Sequence, residues 1–435
     1  MREMKDSGIE WIGKIPEEWT KDKAIRLFNI IGSGTTPKNI TSDFPCVNWI
    51  QSGDINGSLI SSCKNNVSES IISQYSALKI YAAPFIVIAM YGASVGNTSI
   101  SLIDGCVNQA CCVLSASIYN LNYAFYAIKS SQNYLIRKAI GGGQPNISQD
   151  TIKQLWLPLP ALHEQKRIAA FLDAECAEID AVLEKTRASI EEYKKLKQAV
   201  ITQAVTKGIR GDRPMKDSGI EWIGKIPDGV PISRVGLHFD IVLGKMLCSA
   251  PVDDNYTLES YYCAADVHFE GLSNGEKKKM WFSPDEKEQY CVKNGDLLVV
   301  EGGAGAGGCA IAVSTDVPIY IQNSIMIVRS KGISNIRYLR YLLECLVKKG
   351  YIDIVCNKAT IPHFTKDKLA NVPFIVFSQS EQEEIAEYLN EKCAGIDALI
   401  AKKQQYLTEI ENYKKSLIYE YVTGKKEVKT SVLAD

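Results

Sequence analysis

The sequence lacks the residue patterns that most catalytic chemistry requires. Its 13 cysteines include no Cys-x-x-Cys pair, so neither a zinc ribbon nor a dithiol redox centre is expected. An odd, scattered set of thiols fits a reduced, cytoplasmic protein. The four histidines, His163, His238, His268 and His363, never fall at metal-ligand spacing. No Pro-Pro occurs, and with it goes the Asn/Asp-Pro-Pro-aromatic loop that holds a flipped adenine in a methyltransferase. Gly424-Lys425 is followed by Lys rather than Ser or Thr, which excludes a Walker A loop. Gly302–Gly308 opens no helix within a βαβ unit, so it is expected to be a turn between strands. Pro227-Asp228 and Pro284-Asp285 lack a downstream carboxylate-x-Lys, so a nuclease site is unsupported. Long apolar runs are missing too: Phe85–Met90 is far short of the roughly 20 residues of a membrane helix. Formal net charge is −1 over 435 residues, which argues against a free-standing electrostatic nucleic-acid binder but leaves room for local basic patches. The expected protein is not an enzyme, carries no metal or cofactor of its own and meets no membrane.

What is present is a repeat. Met-Lys-Asp-Ser-Gly-Ile-Glu-Trp-Ile-Gly-Lys-Ile-Pro runs from Met4 to Pro16 and returns unchanged from Met215 to Pro227. Such a copy at the head of each half implies internal duplication. Helical periodicity divides the rest into a globular segment over 1–160, a helix over 161–208, a second globular segment over 209–377, a second helix over 378–426 and a tail over 427–435. Each globular segment mixes short strands and helices, with a helix expected over 119–139 and a strand over 107–114. The class is α+β: two α/β domains related by a pseudo-twofold axis and separated by two long helices.

In the first helix Leu172, Ile179, Thr186, Tyr193 and Val200 recur every seven residues, with Cys176, Leu183, Ile190 and Ala204 four residues further on and Lys197 as the exception. About 44 residues without Gly or Pro make a helix of about 66 Å. The second helix opens on Ser380-Glu381-Gln382-Glu383, a capping-box pattern. It repeats the heptads 217 residues later as Leu389, Ile396, Lys403, Ile410 and Leu417. A sustained seven-residue apolar repeat calls for a coiled-coil partner. Thr186 and Lys403 break the pattern at equivalent places, and with the two helices paired antiparallel about a pseudo-twofold axis they are expected to face each other at the midpoint. Under the same symmetry, the end of the second helix near Gly424 should lie beside Met4.

The candidate nucleic-acid contacts lie in loops. Gly32, Ser33, Gly34, Thr35, Thr36 and Lys38 form a Gly/Ser/Thr/Lys turn of the composition that phosphate contacts use. Ser52 follows a strand, and Tyr91, Ser94 and Asn97 follow another. Asn108 and Gln109 carry carboxamides, which can bond an adenine edge bidentately. Gln144, Asn146 and Ser148 follow a glycine run. In the second half, Lys245 takes the place of the first glycine loop, Gln322 and Asn323 stand where Asn108 and Gln109 stood, and His363 aligns with Asn146. Lys358 and Thr360 lie just ahead of His363. Lys277, Lys278 and Lys279 beside Trp281 are the densest basic cluster.

These features resemble the specificity subunits of type I restriction-modification systems. The resemblance rests on the Lys-Asp-Ser-Gly-Ile-Glu-Trp-Ile-Gly-x-Ile-Pro repeat and on a helix lead-in of the form Pro-x-x-x-Glu-Gln-x-x-Ile-Ala-x-x-Leu. Here the lead-in runs from Pro160 through Glu164-Gln165 and Ile168 to Leu172, and nearly the whole chain is covered. The second lead-in departs, with Ser378-Gln379-Ser380 where a proline is usual. The resemblance implies two target recognition domains, each reading one half of a bipartite double-stranded DNA target, with the coiled coil setting the spacer. It implies two methyltransferase subunits and restriction/translocase subunits as partners, and places S-adenosylmethionine, ATP and Mg2+ in them. Because the two halves have diverged, unlike half-sites about one helical turn apart are expected. The alternative is a coiled-coil scaffold carrying two protein- or ligand-binding domains.

Overall fold

The computed structural model describes residues 2–38, 44–139, 145–356 and 362–429, apart from the side chains of 116 and 117. The chain forms two compact units, Met1–Arg187 with Gln405–Asp435, and Ala188–Gln404. Both long helices pass from one unit to the other, so each unit holds one globular segment and a stretch of each helix.

The long helices are Leu162–Lys207 and Gln379–Val422. Gly208 and Gly424 end them at φ +75° and +71°, the left-handed conformation that glycine adopts without strain. The second helix begins two residues earlier than its capping pattern suggests. Ser378 Oγ accepts the Glu381 N–H at 3.3 Å, whereas Ser380 already lies in the helix and bonds Glu384.

Within the first unit the helices run antiparallel, as Lys414 pairs with Asp180 at 2.5 Å and Arg187 with Glu411 at 2.6 Å. Leu172, Cys176, Leu183, Thr186 and Leu417 are buried there, while Ile179 and Ile410 are half-buried. Within the second unit Lys197 pairs with Asp397 at 2.7 Å; Ile190, Leu389, Cys393 and Ile396 are buried, and Tyr193, Val200 and Lys403 half-buried. Thr186 and Lys403, expected to face each other, fall in different units, and each has partners within its own. Lys403 Nζ lies over the Tyr193 ring at 5.6 Å, and Thr186 donates to Val182 O of its own helix at 2.8 Å. The Arg187–Glu411 pair sets Thr186 level with Ile410, one heptad from Lys403. The ion pairs and the tyrosine choose this register, and heptad spacing alone cannot distinguish it from its neighbour.

Both repeat copies fold into the same hairpin, Met4–Asp6 with Lys14–Pro16 and Met215–Asp217 with Lys225–Pro227. Asp6 and Asp217 accept the N–H two residues on, at 2.9 Å each, which turns the chain locally. In the first unit the hairpin buries Ile12 and Ile15 and meets the end of the second helix. A Cβ on Gly424 would lie 2.5 Å from Pro16 Cδ, and Tyr123 donates to Val422 O at 2.8 Å. Glu164 accepts from Trp19 Nε1 at 2.9 Å and from Arg2 at 2.6 Å, and Arg2 also pairs with Glu427 at 3.0 Å. The second unit repeats the joint with other residues: Tyr338 donates to Val205 O at 3.0 Å and Arg213 to Glu381 at 2.5 Å. The helix lead-in has a physical role in both. Gln165 and Gln382 each accept a backbone N–H, from Asn120 and Asn335 at 2.8 Å, and tie the domain to the helix start.

The first globular segment is built on a five-stranded sheet in the order Phe28–Ser33, Cys111–Ser117, Phe85–Ala89, Thr98–Ser101, Leu59–Ile60. Strand alternation sends Cys112 to the core beneath helix Leu121–Ser130 and Cys111 to the core on the opposite face. The expected strand over 107–114 is two strands, Gly105–Val107 and Cys111–Ser117, because Asn108 Oδ1 accepts the Ala110 N–H and makes a turn. The expected helix over 119–139 is also two, Leu121–Ser130 and Gln132–Lys138. Between them buried Ser131 bonds Ile128 O through its hydroxyl, a local bond that competes with the helix. The second segment has a four-stranded sheet in the order Phe239–Leu243, Ile325–Ser330, Leu297–Val300, Cys309–Ile311.

Candidate nucleic-acid interface

Sheet register decides which loops meet. In the first unit Ser33 pairs with Cys112 and Cys111 with Ala89, so two strands end and one begins at the same end of the sheet. The loops leaving them form a rim. Gly34 N–H donates to Asn108 O at 3.4 Å, and Asn108 N–H to Ile50 O at 3.2 Å, which brings in the turn at Ser52. Tyr91 bridges Asn146, with Gly92 N–H donating to Pro145 O at 3.0 Å and Ile147 N–H to Met90 O at 2.9 Å. The loop over 32–36, Ser52, the turn over 91–97, Asn108, Gln109 and the segment over 145–148 are thus neighbours.

Several of these residues already have internal work. A Cβ on Gly34 would fall 1.6 Å from Val107 O and one on Gly32 2.4 Å from the Tyr81 hydroxyl, so these glycines admit the protein's own backbone and ring rather than a phosphate. Asn97 accepts from Gln132 at 2.8 Å and donates to Ile55 O at 3.4 Å. Ser148 caps the helix Gln149–Lys153 by accepting the Thr151 N–H at 3.1 Å, and Ser94 donates to Tyr91 O. Thr36 Oγ1 donates to Gln109 Oε1 at 2.5 Å, leaving the Gln109 amino group outward. Thr35 is half-buried, and Lys38 and Tyr91 are exposed.

The second unit builds the same rim. Leu243 pairs with Met326 and Val300 with Ile325; Gly302 bridges His363 as Tyr91 bridges Asn146. Gly303 N–H donates to Pro362 O at 3.1 Å and Phe364 N–H to Glu301 O at 2.6 Å, bond for bond as in the first unit. Gly302–Gly308 is the turn between strands that the sequence indicates. Gln322 donates to Asn323 Oδ1 at 2.8 Å and accepts from Ser324 at 2.6 Å, so its carboxamide is held by its neighbours, and Asn323 is half-buried.

Two lysines expected to contact DNA are turned inward. Lys245 is buried in an ion pair with Glu286, its ammonium over the rings of Tyr256 at 4.9 Å and Phe282 at 5.5 Å. Burial alone would raise the Glu286 carboxyl, but Lys245 and the Ser283 N–H hold it below its ordinary value. Lys277 pairs with Asp266 at 3.0 Å and donates to Ser273 O at 2.7 Å. Against burial, the Cys263 N–H, Ser273 and Lys277 hold Asp266 below its ordinary value. Each lysine meets a half-buried carboxylate, so the charge that composition assigned to a DNA-facing surface is engaged within the domain instead. Lys278 and Lys279 stay exposed on the strand Lys278–Phe282. Gln144, Lys358 and Thr360 lie outside the described residues.

Sequence reasoning missed Glu301, which sits on the rim at the place of Met90. Aligning the turn after Val300 with the turn after Ala89 would have found it. Among the described residues no group of three or more His, Cys, Asp or Glu could hold a metal, and no helix is long and apolar enough to cross a membrane.

The model of the type I restriction modification DNA specificity domain matches residues 16–192 and 270–411. The chain is 26% identical over 321 residues to the type I restriction enzyme MjaVIII specificity subunit of Methanocaldococcus jannaschii, covering 71% of this chain and 70% of that one. Its fold is similar to a chain solved in work on complex assembly and conformational transition of the type I R-M system, at TM-score 0.73 and 18% identity, covering 95% of this chain and 99% of that one. The HsdS subunit of Thermoanaerobacter tengcongensis is also similar, at TM-score 0.52 and 17% identity, over 95% and 98% of the two chains.

Proposed function

Because the chain belongs to the family of type I restriction-modification DNA specificity domains, we propose that it is the non-catalytic reader of a type I complex, with each globular segment a target recognition domain for one half of a bipartite double-stranded DNA target. The observation that carries this reading is the duplicated rim. Identical backbone bonds hold Tyr91 to Asn146 and Gly302 to His363, while the side chains presented differ. One frame with two surfaces suits two unlike half-sites, and the continuous helices suit a fixed spacer between them. Lys38, Lys278 and Lys279 supply positive charge at exposed positions, and methyltransferase subunits supply the rest of the DNA electrostatics. Those subunits, two per complex, bring S-adenosylmethionine chemistry, and restriction/translocase subunits bring ATP and Mg2+.

The test is a genome-wide map of methylated adenines in cells expressing the chain with its methyltransferase subunits. Two different half-sites at one fixed spacing are expected. A perfect palindrome would contradict divergence of the rims, and a chain that assembles with partners yet directs no methylation would point to a scaffold. Binding by the assembled complex should weaken steadily with salt.

A further inference from the structure

The two rims close with the same backbone bonds but differ in chemistry at one place. In the first unit the turn reads Met90-Tyr91 and meets Asn146, and Met90 is buried. In the second it reads Glu301-Gly302 and meets His363, whose Nδ1 stands 3.6 Å from Glu301 Oε2. Gly302 makes this approach feasible, since a Cβ there would lie 3.3 Å from the same Nδ1. The imidazole is 61% exposed and the carboxylate 18%. The Glu301 carboxylate has no other ion pair among the described residues, unlike Glu286 and Asp266, which hold lysines.

We infer that Glu301 and His363 are the base-reading pair of the second recognition domain, and that the base pair they read is C·G. The inference rests on the proposal that the rims face DNA. In the major groove cytosine offers an N4 amino donor and its partner guanine offers O6 and N7 acceptors. A carboxylate accepts from the amino group and repels a keto oxygen or N7, while an imidazole N–H donates to guanine. One acceptor and one donor side by side match the two edges of a single C·G pair. An A·T pair also offers an amino group beside acceptors, but the customary partner of a carboxylate is the cytosine N4 amino group. The equivalent place in the first domain has a thioether, a phenol and a carboxamide, with no carboxylate, so that domain must read its half-site differently.

The experiment uses the full chain co-expressed with its methyltransferase subunits, with the methylated motif mapped for wild type, Glu301→Gln and His363→Asn. Both variants should relax one C·G position in one half-site, lowering the preference there by about tenfold or more. The other half-site and the spacer should not change. An unchanged motif in both variants overturns the inference, as does loss of methylation at all sites together, which would make the pair a clasp for the loop at Pro362. An A·T pair at the affected position overturns the C·G assignment. A wild-type complex that modifies no bipartite motif removes the proposed function itself, before any variant is compared.

Discussion

Lys129 in the first unit and Glu344 in the second occupy equivalent places, nine residues after the helix caps Asn120 and Asn335, and carry opposite charges. Their surroundings on the long helices are the same. Around Lys129 stand Cys176, Asp180 and Lys414; the corresponding residues in the second unit are Cys393, Asp397 and Lys197. Burial lowers the Lys129 pKa and Lys414 lowers it further, against Cys176 and Asp180, while its ammonium donates to Gly57 O at 2.7 Å. Burial raises the Glu344 pKa, against Arg340, Lys197 and Lys348. The Arg340 Nη1 stands 3.0 Å from Glu344 Oε2, near enough to attract but without the alignment of a hydrogen bond. The difference teaches that a helix-borne Asp–Lys pair can serve a buried charge of either sign: the aspartate answers a lysine, the lysine a glutamate. A recognition domain can therefore diverge in charge without a matching change in the helices.

The comparison breaks most visibly at Arg340. Arg340→Ala leaves Glu344 without its nearest cation and should lower the stability of the second unit by about 3 kcal/mol, whereas replacing both partners, Arg340→Met with Glu344→Leu, should be near neutral. Chemical denaturation of the two variants checks this, and equal losses would show that Arg340 acts through packing alone.

Next in size come opposite pH dependences. The folded pKa of Glu344 lies above its ordinary 4.5, so the folded state binds more protons there and stability falls as pH rises from 4.5 through the folded value. The folded pKa of Lys129 lies below 10.5, so the folded state binds fewer protons and stability rises as pH climbs through that folded value to 10.5. Glu344→Gln should flatten the first slope and Lys129→Met the second, each measured as wild type minus variant across its own window.

The smallest effect sharpens the comparison. Asp180→Asn removes the counter-charge of a buried lysine, and Asp397→Asn removes a carboxylate whose unit already buries another. Each aspartate is more than half exposed. Both substitutions should cost under about 1 kcal/mol, with the first the larger and both diminished by added salt.

How much of this was legible in the sequence depends on range. The heptads located the first helix to within a residue at each end and the second to within four, and the exact repeat marked where each half begins, because those signals are local and periodic. The rims were legible in part, since turn composition marks loops, and alignment of the halves placed His363 with Asn146. The inward turn of Lys245 and Lys277 was not legible. Their partners Glu286 and Asp266 lie 41 and 11 residues away and are brought near by strand pairing rather than by sequence proximity. The coiled-coil register was equally hidden, because adjacent heptads offer similar seams and contacts such as Lys403–Tyr193, Arg187–Glu411, Lys414–Asp180 and Lys197–Asp397 separate them.

The joint between Gly424 and Pro16 has a consequence for the order of synthesis. Leu417, Ile418, Val422 and Val428 belong to the same core as Ile12, Ile15 and Trp19. The unit built on the first globular segment thus waits for the end of the second helix to be made, while the continuous unit from Ala188 to Gln404 can close earlier. At 5–20 residues per second, the delay between Arg187 and Val422 is roughly ten seconds to a minute. During that interval the first hairpin and the start of the first helix keep an apolar face uncovered, so the nascent chain offers a chaperone an opportunity there.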